Sequence, residues 1–121
     1  MQVRMAETRK TRPVSWLKAA MRDFQTFPAG VQSICLGALT IAAEGGKADI
    51  AQPMRGLGSG VFEIALPFRG NAFRVVYAVQ IADEVWVLQA FQKKSTQGIA
   101  TPRREIEVIK ARLRLLKEMF G

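Results

Sequence analysis

Arg74 interrupts an apolar run, AFRVVYAVQI, and two adjacent lysines, Lys93 and Lys94, close another, EVWVLQAFQKK. A guanidinium between Phe73 and Val75 needs a partner, an open cleft, or an edge position from which it snorkels to water. Arg69 is near in sequence, and Glu63 is the one obvious local counter-charge. Cations with so little compensation point to a phosphate site rather than a salt-bridge network, and arginine's planar paired donors match phosphate oxygens. On this reading Arg74 sits in an anion-binding cleft. Its removal is expected to leave stability unchanged or raise it.

Composition narrows the chemistry. The 121 residues contain no histidine and one cysteine, Cys35. Histidine acid–base catalysis, a histidine-ligated metal, a cysteine zinc site and an internal disulfide are therefore excluded, and neither metal nor cofactor is expected. Cys35 lies in an apolar run and reads as a small core residue. Lys and Arg number 18 against 10 Asp and Glu, a net charge of +8, which implies an anionic partner. The charge is uneven: residues 1–27 carry six basic and two acidic groups, residues 93–121 eight and three, and the middle is nearly neutral. No signal peptide is apparent, and ICLGALTIAA is too short to span a bilayer, so a cytoplasmic protein without membrane contact is expected.

The length fits one domain, residues 1–121, with a flexible start over 1–11. RPVSWL reads as a short strand and KAAMRDFQTF as a short helix. PAGVQSICLGALTIAAEGG is a longer helix, begun by Pro28 and stopped by Gly45-Gly46, with Val31, Ile34, Cys35, Ala38, Leu39 and Ala42 on a broad buried face. Three strands follow the loop RGLGSG. In the first, Phe62, Ile64, Leu66 and Phe68 share a face; in the second, Phe73, Val75, Tyr77, Val79 and Ile81 do, leaving Arg74, Val76, Ala78 and Gln80 opposite. EVWVLQAF is apolar nearly throughout, like a strand covered on both sides. The last helix takes Thr101 as N-cap and Pro102 as its first residue. On it Ile106, Ile109, Leu113, Leu116 and Phe120 face the core, while Arg103, Lys110, Arg114 and Lys117 form a second stripe about 100° away. The fold class is α+β: a small antiparallel sheet, made of a three-strand meander plus a short N-terminal strand, packed by two N-terminal helices and a C-terminal helix.

The remaining motifs have plain readings beside functional ones. GLGSG precedes a strand and lacks a following Lys-Ser/Thr, so a flexible turn fits better than a phosphate loop. The basic stripe is either a solvated helix face or a contact for a phosphate backbone, and the N-terminal cations read as a solubilising tail.

PMRGLGSGVFEIALPFRGNAFRVVYAV, followed by VWVLQAFQKKSTQGIATPRREIEVIKARL, resembles the RelE/HigB superfamily, in particular its phage-derived HigB-like branch, over residues 12–117. The resemblance implies the toxin half of a type II toxin–antitoxin system, with a small antiparallel sheet and helices on one side. Such toxins are ribosome-dependent mRNA endoribonucleases that inhibit translation. Their partner is a cognate antitoxin, often a helix-turn-helix protein encoded adjacently. Arg74 matches the strand arginine that contacts the scissile phosphate, Lys94 the basic residue proposed to protonate the leaving oxygen, and Lys93 its basic neighbour. Arg69, Arg103, Lys110, Arg114 and Lys117 are the expected phosphate and RNA contacts. The sequence departs from the family where lysines of the first meander strand are replaced by Glu63 and Ala65, and the C-terminal tyrosine has no counterpart.

Metal-free RNA cleavage by attack of a 2′-hydroxyl needs that oxygen aligned, the phosphorane stabilised and the leaving oxygen protonated. Arg74 suits the second task. A lysine suits the third if neighbouring cations lower its pKa, as Arg69 and Arg74 would beside Lys93 and Lys94. Two other classes stay open: a non-catalytic toxin of the same superfamily that acts on DNA gyrase, and a phage nucleic-acid-binding protein for which net charge suffices.

Overall fold

Apolar residues that alternate along two long strands and fill both sides of a third demand cover on both faces of one sheet. The computed structural model, which describes residues 11–94 and 100–120, meets that demand. The expected flexible start, apart from Thr11, and the segment 95–99 of the AFQKKSTQGIATP motif lie outside the described residues. The order is β1 (Val14–Trp16), α1 (Lys18–Phe24), α2 (Ala29–Ala43), β2 (Ala51–Pro53), β3 (Val61–Phe68), β4 (Asn71–Ile81), β5 (Glu84–Lys94) and α3 (Arg103–Phe120). The strands lie in the order β1-β5-β4-β3-β2.

The α+β class holds, with two additions. β2 joins the sheet beside β3, and β1 pairs in parallel with β5, so the sheet is mixed. Periodicity cannot announce a three-residue strand such as AQP; the pairing of Ala51 with Ile64 makes it one. The helices also divide between the faces. α1 and α2 pack Phe24, Val31, Cys35 and Leu39 against Ile64, Phe73, Val75, Tyr77, Val85 and Val87. α3 packs Ile109, Leu113 and Leu116 against Val61, Val76, Ala78, Leu88 and Phe91 on the other side. The one-sided arrangement implied by the resemblance is therefore not what this chain adopts. Each such large side chain, fully buried, contributes about 1.5–3 kcal/mol.

The register breaks once in a way that matters below. Val76 pairs with Gln89, but Tyr77 pairs with Val87, so Leu88 is an extra residue in β5. Leu88 packs in the α3 core and Gln89 bonds to residues of α3, as in a β-bulge that sets two residues opposite one. A second shift, between Ala78 and Ile81, turns Ile81 into the α3 core rather than onto the face of Tyr77. The hairpin turn Ala82-Asp83 is as tight as expected, with φ of 53° and 57°.

α2 is less buried than its sequence implies. Val31, Cys35, Ala38, Leu39 and Ala42 face the sheet, but Ile34 is 51% exposed, because one sheet covers only one side of a helix. Arg12, one of the supposed tail cations, is structural: its guanidinium donates to Val79 O of β4 at 2.6 Å and to Ala42 O in the last turn of α2 at 3.0 Å, where a cation suits the helix C-terminus.

Cys35 is wholly buried, and burial pushes its thiol up from 9.0 to about 11. A thiol-specific disulfide reagent should leave the native protein unmodified at pH 8 and titrate one thiol in denaturant. Rapid modification without denaturant would contradict this packing.

Candidate functional site

Strand register decides which polar groups meet Arg74. Across β3 it stands opposite Ala65, and across β5 opposite Phe91. Glu63 lies two residues along β3 on the same face, the diagonal position that a long side chain reaches. Arg74 Nη1 donates to Glu63 Oε1 at 3.0 Å, and the two side chains are only 5% and 13% exposed. The Thr101 hydroxyl donates to Glu63 Oε2 at 2.8 Å and lies 3.5 Å from Arg74 Nη1. Thr101 thus serves the ion pair, and its expected N-cap place is taken by Pro102, whose carbonyl accepts from Ile106 N at 3.1 Å.

This corrects the expectation of an uncompensated charge in an open cleft. Arg74 is 4% exposed, and a carboxylate answers it. The residue that departs from the superfamily pattern, Glu63, makes burial of Arg74 tolerable. The pair also reverses the expected effect of removing Arg74, since breaking a buried pair strands the remaining charge.

The other cations do not gather around Arg74 as expected. Lys93 pairs with Ala72 and so shares the face of Arg74 and Phe91, half-buried. Lys94 pairs with Asn71 and projects to the opposite face, exposed. Arg69 occupies the two-residue turn Arg69-Gly70, with φ of 52° and 81°, and its guanidinium lies 5.1 Å from the centre of the Phe68 ring. It lines a separate cleft of about 480 Å³ with Thr26, Asn71, Phe73 and Gln92.

All four stripe residues of α3, Arg103, Lys110, Arg114 and Lys117, are exposed. The structure brings the last three together, with Leu57 and Leu113, around a groove of about 390 Å³ beneath the glycine loop. Arg103 lies two turns upstream and does not line it. The loop is a turn, as expected, with positive φ at Gly56, Gly58 and Gly60.

A polar layer between β5 and α3 escaped the sequence reading. Arg112 donates to Leu88 O at 2.8 Å and to the Gln89 side chain, and Gln89 donates to Glu105 at 2.6 Å. A glutamine inside EVWVLQAF was the available signal. Tyr77 lies on the face away from Arg74, as its parity implied, stacked on Phe62 with centroids 5.5 Å apart. Burial raises the pKa of its hydroxyl above 10.0, which removes it as a base at neutral pH. Among the described residues no three His, Cys, Asp or Glu converge on a metal-sized site, and no helix is long and apolar enough to cross a membrane.

A family model described as Phage derived protein Gp49-like (DUF891) matches residues 22–114, which include Glu63, Arg74, Lys93 and Lys94. No curated protein matches the chain significantly. Among solved structures, a chain from the toxin–antitoxin complex RelBE2 of Mycobacterium tuberculosis is similar at 19% identity, with 71% of this chain and 95% of that chain covered and a TM-score of 0.48.

Arg74→Ala and Glu63→Ala should each lower the unfolding free energy by about 3–5 kcal/mol, because each leaves its partner buried and unpaired. The double change Glu63→Leu with Arg74→Met should lie well above the sum of the two losses. Urea denaturation of all three checks this, and an Arg74→Ala midpoint equal to wild type would refute the pairing.

Proposed function

The chain belongs to the Gp49-like family of phage-derived proteins, in keeping with the phage-derived branch its sequence resembles, and from that premise we propose that it is the toxin of a type II toxin–antitoxin system, acting as a ribosome-dependent mRNA endoribonuclease. The observation that carries this reading is one face of a rigid sheet bearing a guanidinium, a carboxylate 3.0 Å from it, and a lysine on the adjacent strand. Those are the groups that metal-free RNA cleavage needs.

Glu63 is the general base, in place of the family lysine, and takes the proton of the 2′-hydroxyl. The 2′-oxygen attacks the adjacent phosphorus, Arg74 stabilises the charge that gathers on the phosphorane oxygens, and the bond to the 5′-oxygen breaks. Lys93 protonates that oxygen, leaving a 2′,3′-cyclic phosphate and a free 5′-hydroxyl. Strand register favours Lys93 over Lys94 as the acid, since only Lys93 shares the face of Arg74. Thr101, whose hydroxyl bonds Glu63 and lies near Arg74, stands in for the substrate hydroxyl in the free protein and must give way when RNA enters. A closed site of this kind suits an enzyme that acts only on mRNA held in a strained shape by the ribosome.

The net charge of +8, with Arg69, Arg103, Lys110, Arg114 and Lys117 all outside the catalytic trio, supplies long-range attraction to RNA. The partner that restrains the toxin is an adjacently encoded antitoxin, and the place of action is the cytoplasm, where ribosomes translate. A second reading has an observation of its own. The near-complete burial of the Arg74–Glu63 pair fits a purely structural role, and with it a non-catalytic toxin that acts on gyrase.

Expression alone should arrest bacterial growth, and co-expression of the adjacent antitoxin should restore it. In a reconstituted translation system, transcripts should be cut only when ribosomes are present. Lys93→Ala should slow single-turnover cleavage by about 10²–10⁴-fold, the usual worth of a positioned general acid, while Lys94→Ala changes it little. Arg74→Lys, which keeps the charge beside Glu63 but loses the paired donors, should slow it by about 10²–10³-fold. Primer extension reads all three; intact transcripts with failing DNA supercoiling would select the gyrase reading.

A further inference from the structure

The cleft at the β3–β4 turn lies on the side of the sheet away from the Arg74 face, and the mechanism above makes no use of it. Its volume of about 480 Å³ is within the range of small-ligand pockets. Thr26 and Pro28 form one wall, between α1 and α2; Phe68, Arg69, Asn71 and Phe73 form the turn side, and Gln92 of β5 the floor. Among the described residues no carboxylate lines it. We infer that this cleft binds an unpaired nucleobase of single-stranded RNA, with the flanking phosphate held by Arg69 and Lys94.

Four observations converge on that ligand. First, Phe68 with the Arg69 guanidinium 5.1 Å from its ring centre offers an aromatic ring and a planar cation, the two surfaces on which unstacked bases lie. Second, the side-chain amides of Asn71 and Gln92 make no hydrogen bond to any described residue, and an amide presents the paired donor and acceptor that a base edge requires. Third, Lys94 pairs with Asn71 in the ladder and shares its face, so the cation displaced from the Arg74 side lies beside this cleft. Fourth, α2 starts at the cleft wall with Pro28 at its N-cap, no side-chain cap and no acid in its first turn, so its dipole end favours an anion there. An acidic peptide would use the cations but leave the ring and the two amides without a role.

The inference extends the RNA reading to a second site, and its test is separable from that reading. A fluorescent 2′-O-methyl RNA hexamer, which cannot be cleaved, and the matching abasic hexamer are titrated into the full-length protein by anisotropy. Wild type should prefer the hexamer with bases by about tenfold, as stacking of one base predicts. Asn71→Ala with Gln92→Ala should abolish most of that preference and keep the abasic affinity, and Arg69→Ala should weaken both probes. A 5-bromouridine hexamer should photo-crosslink to residues 68–73, which tests the site in the wild-type protein without relying on the variants. Equal binding of the two hexamers by wild type, a preference that survives the double change in a protein melting like wild type, or crosslinks confined to α3 would each overturn the inference. Arg74→Lys should retain the preference. Growth arrest without base preference would therefore remove this site alone, and base preference without arrest or cleavage would remove the toxin reading alone.

Discussion

A sheet covered on both faces leaves no place for an unanswered charge, and this chain puts an arginine within the buried stretch of β4. The Arg74–Glu63 pair is the consequence. The carboxylate sits at the diagonal position on β3, where Ala65 directly opposite leaves room for the guanidinium to reach it. Thr101 then satisfies the second carboxylate oxygen and ties the entry of α3 to the sheet. One polar cluster thus fixes the relative position of β3, β4 and the start of α3. The cost of desolvating both charges is offset by their hydrogen bonds, so the cluster acts as a positional constraint more than as a source of net stability.

The β5 bulge is the second determinant. Before it, Val85 and Val87 face α1 and α2; after it, Ala90 does, and the parity of every later residue is reversed. Continued from Val85, the alternation would have put Lys94 beside Arg74 and Lys93 on the far face. One extra residue, Leu88, exchanges them. The polar layer of Gln89, Glu105 and Arg112 holds the bulge in place: Arg112 takes the Leu88 carbonyl and binds the Gln89 side chain from α3. The chemistry available on each side of the sheet therefore depends on contacts made by a helix that contributes none of the three catalytic candidates.

Seven of the basic residues consequently divide among three environments. Arg74 and Lys93 share the α3 face of the sheet, Arg69 and Lys94 lie toward the turn and the opposite face, and Lys110, Arg114 and Lys117 rim the groove beside the glycine loop. The net charge of +8 acts at long range on any anionic partner, but short-range chemistry is decided by which cations have a carboxylate, an aromatic ring or an apolar floor beside them.

The sequence by itself determined the class of fold, the three helices, the meander of long strands, the buried Cys35 and the face of Tyr77, because those rest on local periodicity and composition. It also offered Arg74, Lys93 and Lys94 as catalytic candidates and Glu63 as the one local counter-charge. Tertiary structure alone decided what they do to one another. Pairing made AQP a strand, β1 parallel, and Glu63 the partner of Arg74. The bulge, a single unpaired residue invisible to a period-of-two reading, chose Lys93 over Lys94 for the Arg74 face. Register and burial are properties of contacts between segments far apart in the chain, and no local pattern contains them.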